Sequence, residues 1–434
     1  MSIEPKLYRG MRDYLPQDML SREKMLEKVR ETFRRWGYAP LATPAIEFKE
    51  ILTGKYGDMA DRLIYDLKHK SGLALRYDLT VPLARVVAMY PNDFPTPFKR
   101  YQIQEVWRAE RAQPRQGRFR EFLQCDVDIV GSDSPVADAE IIALSVQLLA
   151  ELGFPNAVTR VNHRSLLRGL MEISKIPPER EIEVCRIIDK LDKVGKTGIY
   201  EELLTGGYPQ KCVDTLFDII LCSGENRELL DFVEDRYSDN ERIIGGIKNL
   251  REVLKLVSDF GIPSDLLKVD LSLSRGLDYY TGTIFESANA EQPHIGSLTG
   301  GGRYDDLIGI FSGKQIPAVG ITIGLDRILA ALKDAGKLEE RTTSTRVLVT
   351  VFDEKLFPDS IGLATELRKA GIPSEVYLET RKLKQQFSYA DKLGIPFVAV
   401  IGEDEKKKGV IALKDMKTGE QENLTAREII ELAK

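Results

Sequence analysis

The chain has few of the residues that bind metals or form cross-links. Four cysteines and three histidines are spread over 434 residues, and no two cysteines have CxxC spacing. A thiolate or imidazole zinc site is therefore not expected, and Cys125, Cys185, Cys212 and Cys222 are expected to be reduced structural thiols. No run of 18 apolar residues is present, so no membrane-spanning helix is expected. The opening text MSIEPKLYRGMRDYLPQDML has no apolar h-region, so no secretory signal is expected and the protein reads as cytoplasmic. Positive charge is not in excess either. With a net charge of −5, any nucleic acid must be met by local basic patches on a mildly acidic body. Internal repeats and low-complexity tracts are absent. What remains is ordinary globular text, 43% hydrophobic and 30% charged, too long for a single core.

Residues 17–36 predict an amphipathic helix with Leu26, Val29, Phe33 and Trp36 on one face and Gly37 at its end. ALRYDLT, the segment 98–130 and the segment 269–286 read as strands. Because hairpin-like gaps separate them, a largely antiparallel sheet is expected. Between about 165 and 265 the text turns helical, as in EIEVCRIIDKLDKV and NERIIGGIKNLREVLKLVSDFG. AGKLEERTTSTR, 335–346, is the best linker candidate. Beyond it, strand and helix patterns alternate from RVLVTVF to PFVAVIGEDE, which predicts a small α/β domain with a mostly parallel sheet.

Chemistry concentrates in one hairpin. FKRYQIQEVWR, 98–108, and RFREFLQCDVDIV, 118–130, both alternate, and AERAQPRQG forms the loop between them. Leu123, Cys125, Val127 and Ile129 share a core face. Arg120, Phe122, Gln124, Asp126 and Asp128 share the other, and Arg100, Gln102, Gln104 and Arg108 alternate likewise on the first strand. Such a face is either solvated and laced with ion pairs or a pocket graded in charge. In the second case the loop arginines would hold a polyphosphate, since the guanidinium fork matches phosphate, and the carboxylates would hold an ammonium or a polar side chain. GSLTGGGRYDD has three consecutive glycines, Gly300 to Gly302, but neither a P-loop lysine nor a dinucleotide fingerprint. A tight turn or close approach of a ligand to the backbone would each explain them. AVGITIGLDRILAAL reads as strand then helix, with Leu325, Ile328, Leu329 and Leu332 inward and Arg327 off that stripe.

Together these pieces resemble the class II aminoacyl-tRNA synthetases, and among them the histidyl-tRNA synthetase family. RGMRDYLP resembles the family's N-terminal signature, FKRYQIQEVWRAERAQPRQGRFREFLQCDVDIVG class motif 2, and PAVGITIGLDRIL motif 3. RGLDYYTGTIFE and GGGRYDDL resemble the histidine-specific motifs, and the text from RVLVTVF to IGEDEKKKGVIALKDMKTGEQ resembles the anticodon-binding domain. LRYDLT and the long motif 2 loop resemble the archaeal and eukaryotic branch, while Asp306 stands where the family usually has glycine.

The resemblance implies an α+β catalytic domain, an antiparallel sheet flanked by helices, in two parts, 1–165 and 266–334. A helical insertion at 166–265 would separate them, and the linker 335–346 would lead to a separate C-terminal α/β anticodon-binding domain, 347–434. It implies that the chain activates L-histidine with ATP and transfers it to tRNA(His), with Mg2+ carried on the ATP phosphates and no resident metal. Arg275, Arg108 and Arg327 would be catalytic. Arg108, Glu110, Arg118, Phe122 and Arg327 would bind ATP, Phe122 by stacking on adenine. Asp78, Thr80, Arg108, Gln124, Asp128, Arg275, Tyr279 and Tyr280 would bind histidine. Arg275 would stabilise charge building on the α-phosphate as the histidine carboxylate attacks.

The loop tip Ala112 to Gly117 would meet the acceptor end of the tRNA, and Arg381, Lys382 and Lys384 would form a phosphate patch or a solvated helix start. Residues 38–52 resemble the family's motif 1 interface, which implies a homodimer. The competing expectation is a catalytically inactive paralogue, the regulatory subunit of ATP phosphoribosyltransferase. It generally lacks the anticodon domain and degrades the arginine set that this chain keeps.

Overall fold

The computed structural model describes residues 3–54, 63–274, 279–338 and 342–434. The chain forms two compact units, Met1–Arg12 with Leu26–Lys337, and Asp13–Met25 with Leu338–Lys434. Helix Pro16–Arg35 opens on proline and ends on Arg34 and Arg35, both favourable for a helix of that polarity. It buries Leu26, Val29 and Phe33, while Trp36 just past its end donates its indole N–H to Gln147 at 3.1 Å.

The first unit holds strands β1 (Ala39–Pro40), β2 (Ile46–Phe48), β3 (Tyr65–Asp66), β4 (Leu73–Leu75), β5 (Phe98–Trp107), β6 (Glu121–Val130), β7 (Val158–His163), β8 (Leu267–Val269), β9 (Thr283–Ala288), β10 (Ser297–Arg303) and β11 (Ala318–Ile323). Eight of them form one sheet in the order β1-β5-β6-β11-β10-β9-β7-β8, and β2, β4 and β3 form a small second sheet. Neighbours in the large sheet are antiparallel except β1 with β5 and β7 with β8, which are parallel.

One face is apolar, as the alternation predicts. Leu123, Cys125, Val127 and Ile129 are buried, and the largely buried helix Pro135–Glu151, capped by Ser134, packs against β6, β9, β10 and β11. The other face corrects one of the two expectations, because it is polar without being solvated. Arg100, Gln102, Gln124, Asp126 and Asp128 are all buried.

Three further expectations are corrected. ALRYDLT is not one strand: β4 ends at Leu75, and Thr80 begins helix Thr80–Met89. Residues 269–286 are not one strand either: β8 ends at Val269 and β9 begins at Thr283. The glycine run is no tight turn. It forms the middle of β10, where a Cβ on Gly301 would meet Gly320 O at 2.0 Å and one on Gly302 would meet Thr283 O at 2.7 Å.

Helices Arg164–Ile173, Glu181–Ile188, Leu191–Thr205, Gln210–Ile220, Asn226–Arg236 and Glu241–Asp259 lie between β7 and β8. They enclose an apolar core that includes Val184, Ile187, Ile199, Leu216 and Phe217. Helix Glu241–Asp259 also packs on helix Pro135–Glu151, so this block continues the core of the sheet.

In the second unit β12 (Val347–Val349), β13 (Ser374–Val376), β14 (Phe397–Val400), β15 (Ile411–Asp415) and β16 (Gln421–Leu424) form a sheet ordered β13-β12-β14-β15-β16. The β12–β13 and β12–β14 pairs are parallel, and the β14–β15 and β15–β16 pairs are antiparallel. The sheet is therefore mixed, not mostly parallel. The difference is the hairpin β15–β16, whose outer strand is largely exposed and lacks an apolar period.

Candidate active site

The hairpin register sets the site. Arg100 faces Asp128, Gln102 faces Asp126, Gln104 faces Gln124 and Val106 faces Phe122 across β5 and β6. On the other side of β6, Gly320 faces Asp128 and Thr322 faces Asp126. Three layers close the face. Thr43 receives Gln102 Nε2 at 2.8 Å, Leu79 O receives Arg100, and Tyr304 donates its hydroxyl to Asp128 Oδ1.

Deep in this face the charge is acidic. Arg100, 0% exposed, reaches Asp128 Oδ2 at 2.8 Å. Asp78, Asp126 and Asp128 are buried around it. Burial pushes the Asp126 carboxyl up to about 7; the charge on Arg100 opposes the shift and that on Asp128 adds to it. Burial likewise lifts Asp78 to about 6 against the pull of Arg108, and raises Asp128 against the pull of Arg100. Tyr279 and Tyr304 are pushed well above the ordinary phenol range, first by burial. Their rings lie 5.8 Å apart at 70°, and Tyr280 stands 4.8 Å from Tyr279. Thr80 bonds to Tyr279.

Among the described residues three buried acceptors here lack a hydrogen bond; Asp128 Oδ2 is held by the Arg100 ion pair, and the other two are bare. Asp78 Oδ1 receives Val81 N at 3.3 Å, but Asp78 Oδ2 and Gln124 Oε1 are buried with no hydrogen-bond partner. A buried acceptor without a donor is costly, which marks both atoms as places for a ligand's N–H groups.

Towards the loop the charge turns basic. Arg108 donates Nε to Tyr77 O at 2.9 Å and sits 5.1 Å over the Phe122 ring. Arg118 lies 3.7 Å from Glu110. Arg327, at the start of helix Leu325–Asp334, donates to Ser297 O at 2.7 Å and Ser297 Oγ at 3.1 Å. Gly117 draws the loop tip onto that helix: its φ is +66°, and a Cβ there would meet Asp326 O at 2.6 Å. Asp326 in turn receives Arg12 at 2.7 Å and Leu123 N at 3.3 Å, tying the RGMRDYLP segment to the same end.

The expected site residues therefore divide into two groups. Asp78, Thr80, Gln124, Asp128, Tyr279 and Tyr280 belong to the acidic end, and Glu110, Arg118 and Arg327 to the loop end. Arg108 joins them, over Phe122 and acting on Asp78. Arg275 lies outside the described residues. Arg120 shares the face in sequence but is committed to backbone oxygens of Glu110 and Arg9. Asp306 is exposed and accepts from Gln315 at 2.9 Å. Sequence reasoning gave no role to Arg100, Tyr304 or Thr322, and gave Asp126 only a share in a pocket graded in charge. For Arg100 the signal was available, because the hairpin register alone places it opposite Asp128.

Comparison with known proteins identifies the family. The family model for histidyl-tRNA synthetase matches residues 10–328, and that for the anticodon binding domain matches residues 346–434. A histidine–tRNA ligase of Cytophaga hutchinsonii is 40% identical, with 98% of this chain and 99% of the relative covered. One of Aeropyrum pernix is 42% identical, with 96% and 95% covered. The crystal structure of histidyl-tRNA synthetase from Nostoc sp. PCC 7120 superposes with a TM-score of 0.89 at 32% identity, with 100% of this chain and 99% of that one covered. A Bacillus halodurans protein described as an ATP phosphoribosyltransferase regulatory subunit/histidyl-tRNA synthetase shares the fold, with a TM-score of 0.74 at 23% identity. With a graded site on an antiparallel sheet, an anticodon-binding unit and relatives matched end to end, the chain belongs to the histidyl-tRNA synthetase family of class II aminoacyl-tRNA synthetases.

Proposed function

We propose that the graded face of β5, β6 and β11 is where this chain performs the first half of its family's reaction, histidine–tRNA ligation with ATP. The observation that carries this reading is the pair of bare buried acceptors, Asp78 Oδ2 and Gln124 Oε1, beside the cation of Arg108. An α-ammonium satisfies the acceptors, and the adjoining carboxylate and α-phosphate lie towards Arg108. Phe122 supplies an aromatic face for adenine, with Glu110 beside it. Arg118 and Arg327 hold the outer phosphates. Mg2+ enters on those phosphates; among the described residues, no group of three or more His, Cys, Asp or Glu side chains is arranged to hold a metal ion. Tyr279, Tyr280, Thr80 and Asp128 shape the side-chain pocket, and a pocket built to hydrogen-bond an imidazole rejects analogues lacking it by roughly 10⁴ to 10⁵.

Chemistry then needs little proton transfer. The histidine carboxylate oxygen attacks the α-phosphorus, its bond forms as that to the β-phosphate oxygen breaks, and pyrophosphate leaves. Fixed cations stabilise the charge on the phosphate oxygens more in the transition state than before it. Arg108 is one such cation and Arg275 the second. The tRNA 3′ hydroxyl then attacks the histidyl carbonyl carbon, its C–O bond forming as the bond from that carbon to the adenylate phosphate oxygen breaks, so that AMP leaves and the hydroxyl proton is released. The motif 2 loop tip and the Arg381, Lys382 and Lys384 patch meet the tRNA. A homodimer through residues 38–52 and a cytoplasmic location complete the reading. No helix among the described residues is long and apolar enough to cross a membrane. LRYDLT supports a place in the archaeal and eukaryotic branch, although the relatives at 37–42% identity are mostly bacterial.

ATP–pyrophosphate exchange with each of the twenty amino acids tests this reading. Exchange with histidine alone, reduced about 10²- to 10³-fold in Arg275→Ala, is the expected result. Exchange unaffected by Arg108→Ala and Arg275→Ala would refute the assignment.

A further inference from the structure

Gln124 has an amide whose direction matters, because its oxygen accepts and its nitrogen donates. Its Nε2 donates to Thr322 Oγ1 at 3.3 Å and to Asp126 Oδ1 at 3.4 Å. Asp126 keeps an acceptor oxygen whether or not it carries a proton, and the Thr322 hydroxyl is directed to Asp126, so the nitrogen end faces both. The oxygen end is thereby turned the other way, and it is the end left bare. Thr322 reaches this point from β11, directly opposite Asp126 in register, and its hydroxyl also bonds to the Asp126 carboxylate. Asp128 is committed elsewhere: Oδ1 accepts from Tyr304, and Oδ2, which has no hydrogen bond among the described residues, is held in the ion pair with Arg100. Asp126, 2% exposed, has no guanidinium of its own within ion-pair reach among the described residues.

We propose that Asp126 and Thr322 are positioning residues for amino-acid activation: they lock the Gln124 amide so that its bare oxygen, alongside Asp78, receives the substrate's α-ammonium. The inference rests on the reading that Gln124 and Asp78 bind the amino group. The alternative amide direction would turn an NH2 towards an ammonium, replacing attraction with repulsion. Two partners from adjacent strands remove that alternative before the substrate arrives, so the oxygen is already oriented when the ligand binds.

The test is ATP–pyrophosphate exchange by the full chain, with KM for histidine, KM for ATP and kcat measured separately for Thr322→Val, Thr322→Ser, Gln124→Ala and the double variant Gln124→Ala/Thr322→Val. Thr322→Val removes the hydroxyl at nearly constant volume. The expected result is a histidine KM raised roughly ten- to hundredfold, the cost of a misdirected hydrogen bond to a charged group, with the ATP KM unchanged. Thr322→Ser should restore the histidine KM. The double variant should be no worse than Gln124→Ala, because both changes remove the same interaction. The proposal is overturned if Thr322→Val leaves the histidine KM at its native value while Gln124→Ala raises it. It is also overturned if Thr322→Val raises both KM values together, as a loosened sheet would, or if the two single effects add. If Gln124→Ala itself leaves the histidine KM unchanged, the amino-group reading fails first and the proposal falls with it.

Discussion

Asp126→Asn should make the protein more stable in alkaline solution and leave it unchanged in mild acid. The carboxyl is pushed from 3.8 up to about 7 by burial, with Asp128 adding to the shift and Arg100 opposing it. A raised acid holds its proton in the folded state while the unfolded chain has already lost its own. The stability it contributes is therefore fully present below about pH 4 and is lost as pH rises through about 7. Each tenfold change in affinity for the proton is about 1.4 kcal/mol, so the cost of ionising this cluster is on the order of a few kcal/mol, shared with Asp128 and Asp78. Asparagine mimics the protonated acid in shape and keeps an acceptor for Gln124, yet cannot ionise. Calorimetric melting of both proteins from about pH 4 to about pH 8.5 measures the difference. The melting temperatures should coincide at the acid end and diverge by several degrees at the alkaline end, with the variant higher. Parallel curves across the whole range would falsify the account, since they would mean that Asp126 is ionised throughout or that Arg100 fully compensates it.

Other consequences can be measured directly. Arg100→Met leaves Asp128 buried without its cation and should cost about 3–5 kcal/mol, seen as a lower melting temperature of the catalytic unit. Gly320→Ala would put a Cβ 1.9 Å from Asp128 Oδ1. That carboxylate must move, so a loss of about 1–3 kcal/mol and a raised histidine KM are expected. Histidine binding brings an ammonium to Asp78, whose carboxyl stands at about 6. The ligand favours the ionised acid, so titration calorimetry near pH 6 in buffers of different ionisation enthalpy should show net proton release, reduced in Asp78→Asn.

The hairpin 98–130 was legible because its period of two is clean, and its register follows once its strands are aligned. What alternation cannot say is what lies over each face. Arg100, Gln102 and Asp126 look like solvent residues until Thr43, Leu79 and Tyr304, distant in sequence, are laid on top of them. The glycine run misled for a related reason: a strand with no side chains carries no strand signal, and the need for glycine comes from Gly320 on the neighbouring strand. In the C-terminal unit, KDMKTGEQENL hid β16 because an exposed edge strand has no apolar period to find. Charge grading along motif 2 was visible as composition. The amide lock on Gln124 was not, since it depends on a threonine in β11.

The parallel pairing of β7 with β8 also bears on how the protein must assemble. The chain leaves the sheet at His163, the far end of β7, and returns at Leu267, beside Thr159 near its beginning. Exit and re-entry are thus separated by about 13 Å along the strand, at ~3.3 Å per residue. Residues 164–266 are a crossover rather than a side branch, and a tight turn could not replace them. Since β8 cannot dock until that long connection has collapsed, its pairing with β7 should be among the last contacts to form on folding. Refolding followed by hydrogen exchange should find Val269 protected later than the β5–β6 hairpin, with the sheet one strand short until the helices are in place.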